Sequence, residues 1–229
     1  MTVFVLSRDL EFPPPEYAEE DGLLAVGGDL SEGRLLLAYS KGIFPWYSEG
    51  SPILWWSPDP RLVLLPEELK VSRSLRQTIK KGVYTVTADR AFEEVITGCA
   101  EVHGKKDGGT WITDDMVMAY LRLHEAGFAH SVESWHEGEL AGGLYGVSLG
   151  SVFFGESMFA KRRDASKTAF VSIVRKLAGW DFELIDCQVR TEHLMNLGAR
   201  EIPRAQFMTR LEHALKKPGR RGRWNDEPL

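Results

Sequence analysis

The sequence predicts an α+β protein, and three features carry that expectation. The first sixty residues are loop-rich and aromatic and end at the break Asp59-Pro60; next come helices leading into a meander of alternating strands; the chain then returns to helix, strand and helix. At 229 residues the chain is long enough for a small domain joined to a larger one. We place these at residues 1–60 and 61–229.

Within the first segment, Pro13-Pro14-Pro15, Gly27-Gly28-Asp29 and Trp55-Trp56-Ser57-Pro58 leave room for one clear helix, Ser31 to Lys41. Ser31 caps it, Leu35, Leu36 and Tyr39 give it an apolar face, and Gly42 stops it. Arg61 to Leu65 reads as a strand, Ser72 to Lys81 as a helix, and Tyr84 to Thr87 as a strand. Phe92 to Ala100 and Thr113 to Ala126 have helical spacing. The period then changes: Ala129 to His136, Glu139 to Val147 and Ser151 to Glu156 alternate as antiparallel strands, the last pair turning at Ser148-Leu149-Gly150. Ala165 to Leu177 is a helix, Phe182 to Val189 a strand, Glu192 to Leu197 a short helix ended by Gly198, and Arg204 to Lys216 a final helix.

Composition narrows the function. The formal charge of −5 argues against a surface that binds nucleic acid everywhere, while leaving room for local basic patches. The two cysteines, Cys99 and Cys187, each lie in apolar sequence and read as small core residues in a reducing compartment. No apolar run approaches the ~18 residues of a membrane helix, and the start lacks a signal-peptide pattern, so the expectation is a soluble, cytoplasmic protein that does not enter a membrane. The six histidines have no ligand spacing, and we expect no metal.

Polar groups inside apolar strands are the strongest chemical signal. Glu156 lies in Phe154-Gly155-Glu156-Ser157-Met158-Phe159, and Asp186 and Gln188 lie in Leu184-Ile185-Asp186-Cys187-Gln188-Val189. A carboxylate removed from water needs a partner, a shifted pKa or a catalytic task. Alternation puts Asp186 and Gln188 on one face and Ile185, Cys187 and Val189 on the other. For Glu156 the plain alternative is an ion pair with Lys161, Arg162 or Arg163; for Asp186 with Gln188 it is a buried hydrogen-bonded pair.

Two basic runs stand out. Spacings of three and four put Arg73, Arg76 and Lys80 on one side of a helix; Lys216, Lys217, Arg220, Arg221 and Arg223 form a tail expected to be flexible. Either can grip phosphate, although such runs are usually solvated faces. Trp46 and Trp111 are candidates for stacking on bases, whereas Trp55 and Trp56 read as packing between the domains. The helix start at Asp164 to Lys167 also attracts anions, but Lys161-Arg162-Arg163-Asp164-Ala165-Ser166 lacks the glycines that a loop wrapping coenzyme A would carry.

Nearly the whole chain, the tail apart, resembles the bacterial leucyl/phenylalanyl-tRNA protein transferases. The motifs that carry the resemblance are Gly22 to Leu30, Gly42-Ile43-Phe44-Pro45-Trp46, Leu54 to Arg61, Gly109-Thr110-Trp111-Ile112-Thr113, Gly155 to Phe159 and Leu184 to Gln188. The resemblance implies a small N-terminal domain followed by a GNAT-type acyltransferase domain. It also implies transfer of Leu, Phe or, less well, Met from aminoacyl-tRNA to the α-amino group of a protein beginning with Arg or Lys, marking that protein for degradation. The tRNA ester is already activated, so no cofactor is expected, and the protein is expected to act as a monomer. Asp186, Gln188 and Glu156 would be catalytic, with Asp186 orienting and polarising Gln188, whose amide oxygen accepts from the attacking amine, and Glu156 helping to hold the acceptor N-terminus or its cationic side chain.

The donor side chain would enter an apolar pocket of Leu144, Phe153, Met158 and Ile173 beside the polar groups, with Trp111 near the terminal adenosine and Trp46 near the acceptor path. Arg73, Arg76 and Lys80 would bind tRNA. The family pattern has Met at position 144, Phe at 173 and a cation at 77; Leu144 and Ile173 bear on the preference between Phe and Leu, and Arg76 compensates for Gln77. Two other classes fit parts of the chain: an N-acyltransferase using acyl-coenzyme A, disfavoured by the glycine-free loop, and a non-enzymatic tRNA-binding module, which leaves Glu156, Asp186 and Gln188 without a task.

Overall fold

The computed structural model describes residues 3–107 and 110–225, with backbone only over 103–107. Gly109, part of one resemblance motif, lies outside the described residues. Short strands β1 (Phe4–Leu6), β2 (Leu23–Gly27), β3 (Phe44–Pro45) and β4 (Leu54–Trp56) form a four-stranded sheet in the order β1-β2-β4-β3. Their two to five residues, interrupted by proline and glycine, give too little alternation to be read from sequence. Helix α1 (Glu32–Ser40) is capped by Ser31, whose hydroxyl accepts from the Arg34 amide. Trp55 is fully buried, donates to the Gly27 carbonyl at 2.9 Å and sits edge-on to Phe12.

A seven-stranded sheet follows, from β5 (Arg61–Leu64), β6 (Thr85–Ala88), β7 (Ala129–His136), β8 (Glu139–Leu149), β9 (Val152–Ala160), β10 (Leu184–Gln188) and β11 (Arg200–Ile202). Its order is β11-β5-β10-β9-β8-β7-β6, and only the β9–β10 pair is parallel. Helices α2 (Arg73–Lys80), α3 (Phe92–Asp107), α4 (Asp114–Glu125), α5 (Ala165–Gly179), α6 (Glu192–Met195) and α7 (Arg204–Leu215) complete the α+β architecture. Alternation along the strands sorts the core into two layers. Val63, Phe154 and Leu184 face α3, α4 and the N-terminal sheet, in a cluster with Tyr39, Trp55, Ile96 and Tyr120. Leu62, Leu64, Phe153, Ile185 and Cys187 face α5, in a cluster with Phe170, Ile173 and Val174.

Beyond the N-terminal strands, two boundaries differ by more than two residues from the sequence reading, and one further strand appears. Helix α3 runs on to Asp107, past the point where Gly104 and the charged run after it break the apolar spacing. Strand β9 continues to Ala160 because Tyr145 pairs with Ser157 and Gly146 with Gly155, leaving Glu156 as an extra residue that resets the alternation. Strand β11, three residues long, exists through pairing with β5.

The C-terminal tail is a larger correction. Through Trp224 it is tied down: Lys217 pairs with Glu183 at 2.7 Å, Arg220 lies over the Trp180 ring, and Arg221 lies over Phe128 while donating to the Ala126 carbonyl. Trp224 is buried at 3 % exposure. Apolar docking of this one tryptophan outweighs the repulsion that made the basic run look flexible.

Candidate active site

Strands β9 and β10 pair through Val152, Phe153 and Phe154 against Leu184, Ile185 and Asp186, and no further. β9 runs on for six more residues and β10 for two, so the sheet opens between them. Side chains bridge this parting: the Gln188 amide donates through Nε2 to Glu156 Oε1 at 2.8 Å. Glu156 Oε2 accepts from the Tyr120 hydroxyl at 2.8 Å, and the Tyr120 and Tyr39 hydroxyls share a short hydrogen bond. Tyr39 comes from α1, Tyr120 from α4 and Gln188 from the end of β10, so three separate elements converge on one carboxyl.

Burial dominates the electrostatics of Glu156 and pushes its pKa up to about 7; hydrogen bonds from Tyr120, Tyr39 and Gln188 oppose the rise, and the charge of Asp186 adds to it. Burial, reinforced by the negative charge of Glu156, holds the Tyr39, Tyr120 and Tyr145 hydroxyls well above the ordinary phenol range. The phenols therefore keep their protons, and the carboxyl is the group that changes charge near neutrality. It forms no ion pair with Lys161, Arg162 or Arg163; its partners are phenol and amide.

Asp186 meets Gln188 through the backbone. It is fully buried, and its carboxylate takes both Nε (2.8 Å) and Nη2 (2.7 Å) of Arg61 in a bidentate pair. The guanidinium lies between the rings of Phe44 and Phe207, 4.8 and 4.7 Å from their centroids. Asp186 Oδ1 also accepts the backbone N–H of Gln188 at 2.9 Å. Its hydrogen bond to Gln188 is thus to the backbone, while the side-chain amide of Gln188 is bonded to Glu156. Gln188 adopts φ of 61°, where the pairing of β10 with β5 shifts register. A residue other than glycine in this left-handed conformation is costly unless its surroundings hold it, and the Asp186 contact does so. The turn keeps Asp186 and Gln188 on the layer of Tyr39 and Tyr120, but sends Val189 to that layer too, against the simple alternation.

Leu144, Phe153 and Ile173 are buried together in the α5 layer, with Met158 half-buried at its margin. They sit on the opposite face of the sheet from Glu156, not beside it. Trp46 is 41 % exposed and Trp111 half-buried; the Tyr47 hydroxyl to Thr113 contact of 3.2 Å brings their two loops together. Arg73, Arg76 and Lys80 are exposed on α2, which is anchored by buried Leu75. Among the described residues there is no cluster of three or more His, Cys, Asp or Glu placed to hold a metal, and no helix long and apolar enough to cross a membrane.

Sequence reasoning missed Arg61, Tyr39 and Tyr120. Arg61 was visible as a cation opening an apolar strand, a place that demands an acid partner. The tyrosines gave no such sign, because an apolar helical face accommodates a phenol ring whatever its hydroxyl does.

The family model described as leucyl/phenylalanyl-tRNA protein transferase matches residues 63–212, and that of the N-terminal domain of the same family matches residues 28–59. A leucyl/phenylalanyl-tRNA–protein transferase from Anaeromyxobacter sp. (strain Fw109-5) is 64 % identical over 225 residues, covering 98 % of this chain and 96 % of the relative. Its counterpart from Myxococcus xanthus is 59 % identical, covering 99 % and 97 %. Solved structures align more loosely: L-PGS from Bacillus licheniformis at TM-score 0.41 and 10 % identity, covering 88 % of this chain and 66 % of that one. A GCN5-related N-acetyltransferase from Kribbella flavida aligns at TM-score 0.34 and 12 % identity, covering 79 % and 63 %. Two family models and relatives of this identity along almost the full length establish that the chain belongs to the leucyl/phenylalanyl-tRNA protein transferase family of aminoacyltransferase enzymes.

Proposed function

We propose that this enzyme moves Leu, Phe and, less well, Met from aminoacyl-tRNA to the N-terminal α-amino group of proteins beginning with Arg or Lys, in the cytoplasm, as a monomer, so marking them for degradation. The observation that carries this reading is the Gln188 to Glu156 bridge across the parting of β9 and β10, with a carboxyl of pKa about 7 at its centre. An α-ammonium group has a pKa of about 7.7 to 8.0, so a base titrating near 7 is matched to removing its proton.

The chemistry asks for little else. The α-ammonium gives one proton to Glu156, the freed amine nitrogen attacks the ester carbonyl, a C–N bond forms, the bond to the ribose oxygen breaks, and a second proton from the nitrogen leaves on that oxygen. Gln188 orients the nucleophile through its amide oxygen while its NH2 is committed to Glu156; Glu156 takes the proton, and Asp186 with Arg61 fixes the backbone of Gln188. Most of the acceleration comes from alignment of amine and carbonyl. In this reading one ligand passes through the parting of the strands, and a donor side chain bound among Leu144, Phe153, Met158 and Ile173 presents its carbonyl to Gln188. Met158, flexible and polarizable, suits a pocket that takes branched and aromatic guests. Trp111 would stack on the terminal adenosine, and Trp46 would flank the acceptor. In this reading the boundary falls at residue 60, the larger unit is a GNAT-type acyltransferase domain, and no cofactor takes part.

Labelled Leu-tRNA mixed with a peptide beginning with Arg tests the activity, with labelled acetyl-coenzyme A in parallel. Label reaching the peptide from tRNA alone is expected; label from coenzyme A alone contradicts the reading. Arg73→Ala should weaken tRNA binding and reduce the slope of log affinity against log salt by roughly 1. An unchanged slope would make the α2 cations a solvated face.

A further inference from the structure

The C-terminal segment reaches the face of the sheet that carries the proposed donor pocket. Trp224 lies parallel to the imidazole of His130 at 3.6 Å and 5°, and its ring centroid is 6.0 Å from that of Phe153. Trp180 and Phe182 enclose it at 5.1 and 6.2 Å. Trp224 belongs to the same buried cluster as Leu144, Phe153 and Ile173.

The segment is fastened where this ring enters. Asp89, buried and at φ of 53°, accepts from the Trp224 backbone N–H at 2.8 Å and from His130 Nδ1 at 2.9 Å through one oxygen, and from the Ser131 N–H at 2.9 Å through the other. The Trp224 indole donates to the Arg220 carbonyl at 3.1 Å. Gly222 donates its N–H to the Gly127 carbonyl at 3.0 Å and lies so close that a Cβ on Gly127 would come within 2.7 Å of its nitrogen. These contacts set the position of the indole, and a rigid aromatic pair transmits that position to Phe153.

We infer that Trp224 is a positioning residue for donor selection: it backs Phe153 and so sets how large an aminoacyl side chain the pocket accepts. The inference rests on the donor-pocket reading above. With Trp224 removed, Phe153 has room to swing away from the sheet, the pocket deepens, and the larger donor gains relative to the smaller. A side chain that touches only the tail would change protein stability without separating one donor from another.

The test is the ratio of kcat/KM for Phe-tRNA over Leu-tRNA, measured with the full chain and one Arg-peptide acceptor. Trp224→Ala is expected to raise this ratio by roughly tenfold, the scale on which an apolar pocket separates donors differing by a few carbons. The KM of the acceptor peptide should stay unchanged, and added indole should return the ratio toward the wild-type value. Trp224→Phe keeps a ring over His130 and should give a smaller shift of the same sign, which serves if the alanine variant does not fold. Phe153→Leu is the control for the pocket. If it shifts the ratio while both folded Trp224 variants leave it alone, the role of Trp224 is disproved and the pocket stands. If Phe153→Leu also leaves the ratio unchanged, the pocket reading fails and the inference with it.

Discussion

Arg61→Ala is expected to destabilise the protein by about 3 to 5 kcal/mol and to abolish transfer. The substitution leaves the fully buried Asp186 carboxylate without the two charge-assisted bonds it receives at 2.8 and 2.7 Å. It also empties the slot between Phe44 on β3 and Phe207 on α7, so the N-terminal sheet, the large sheet and the last helix lose a shared contact. Arg61→Lys should recover only part of this, since an ammonium is neither bidentate nor planar. In the double variant Arg61→Ala with Asp186→Asn, removing the uncompensated charge should make the loss smaller than the sum of the single losses. Urea unfolding checks all three, and a loss below about 1 kcal/mol for Arg61→Ala contradicts the role given to this pair.

Glu156→Gln is expected to lower turnover by roughly 10²-fold or more while leaving tRNA affinity unchanged, because an amide fills the same space and accepts no proton at neutral pH. Its effect on stability runs the other way. The folded protein raises the Glu156 pKa from 4.5 to about 7, so the stabilising contribution of the protonated carboxyl is complete below 4.5 and is lost as pH rises through 7. The glutamine variant has no such loss. Its stability relative to wild type should therefore grow between pH 4.5 and 8, by on the order of 3 kcal/mol at 1.36 kcal/mol per pKa unit. Thermal melts of both proteins at pH 5 and pH 8 measure this, and equal differences at the two pH values would show that Glu156 is not buried as an acid. A variant more stable and less active is the usual mark of a group kept for chemistry at a cost in stability.

Alternation and caps made most of the fold legible: α1, α4, α5, α7 and the three strands of the meander follow from spacing alone. Asp186 and Gln188 were recognisable because two polar groups on one face of an apolar strand ask for a common explanation. What the local pattern could not carry was the identity of their partners. Arg61 is 125 residues from Asp186, and Tyr120 is 36 from Glu156. The left-handed turn at Gln188 and the extra residue at Glu156 also break the period on which strand reading depends. Both irregularities lie at the proposed active site, and such breaks of the local rules are where a functional site is expected. The anchoring of Trp224 escaped for another reason: its energy lies in one ring and its partners on β7, β9 and the turn after β6, none of which is near in sequence.

The most direct test of the central claim, that Glu156 takes the proton of the attacking amine, is the pH dependence of single-turnover transfer from Leu-tRNA to an Arg-peptide in wild type and Glu156→Gln. The wild-type rate should rise as the carboxyl ionises through about pH 7, and this limb should vanish in the variant, leaving only the limb of the peptide amine at about 7.7 to 8.0. A variant that keeps the limb near 7, at a rate within about threefold of wild type, would contradict the account.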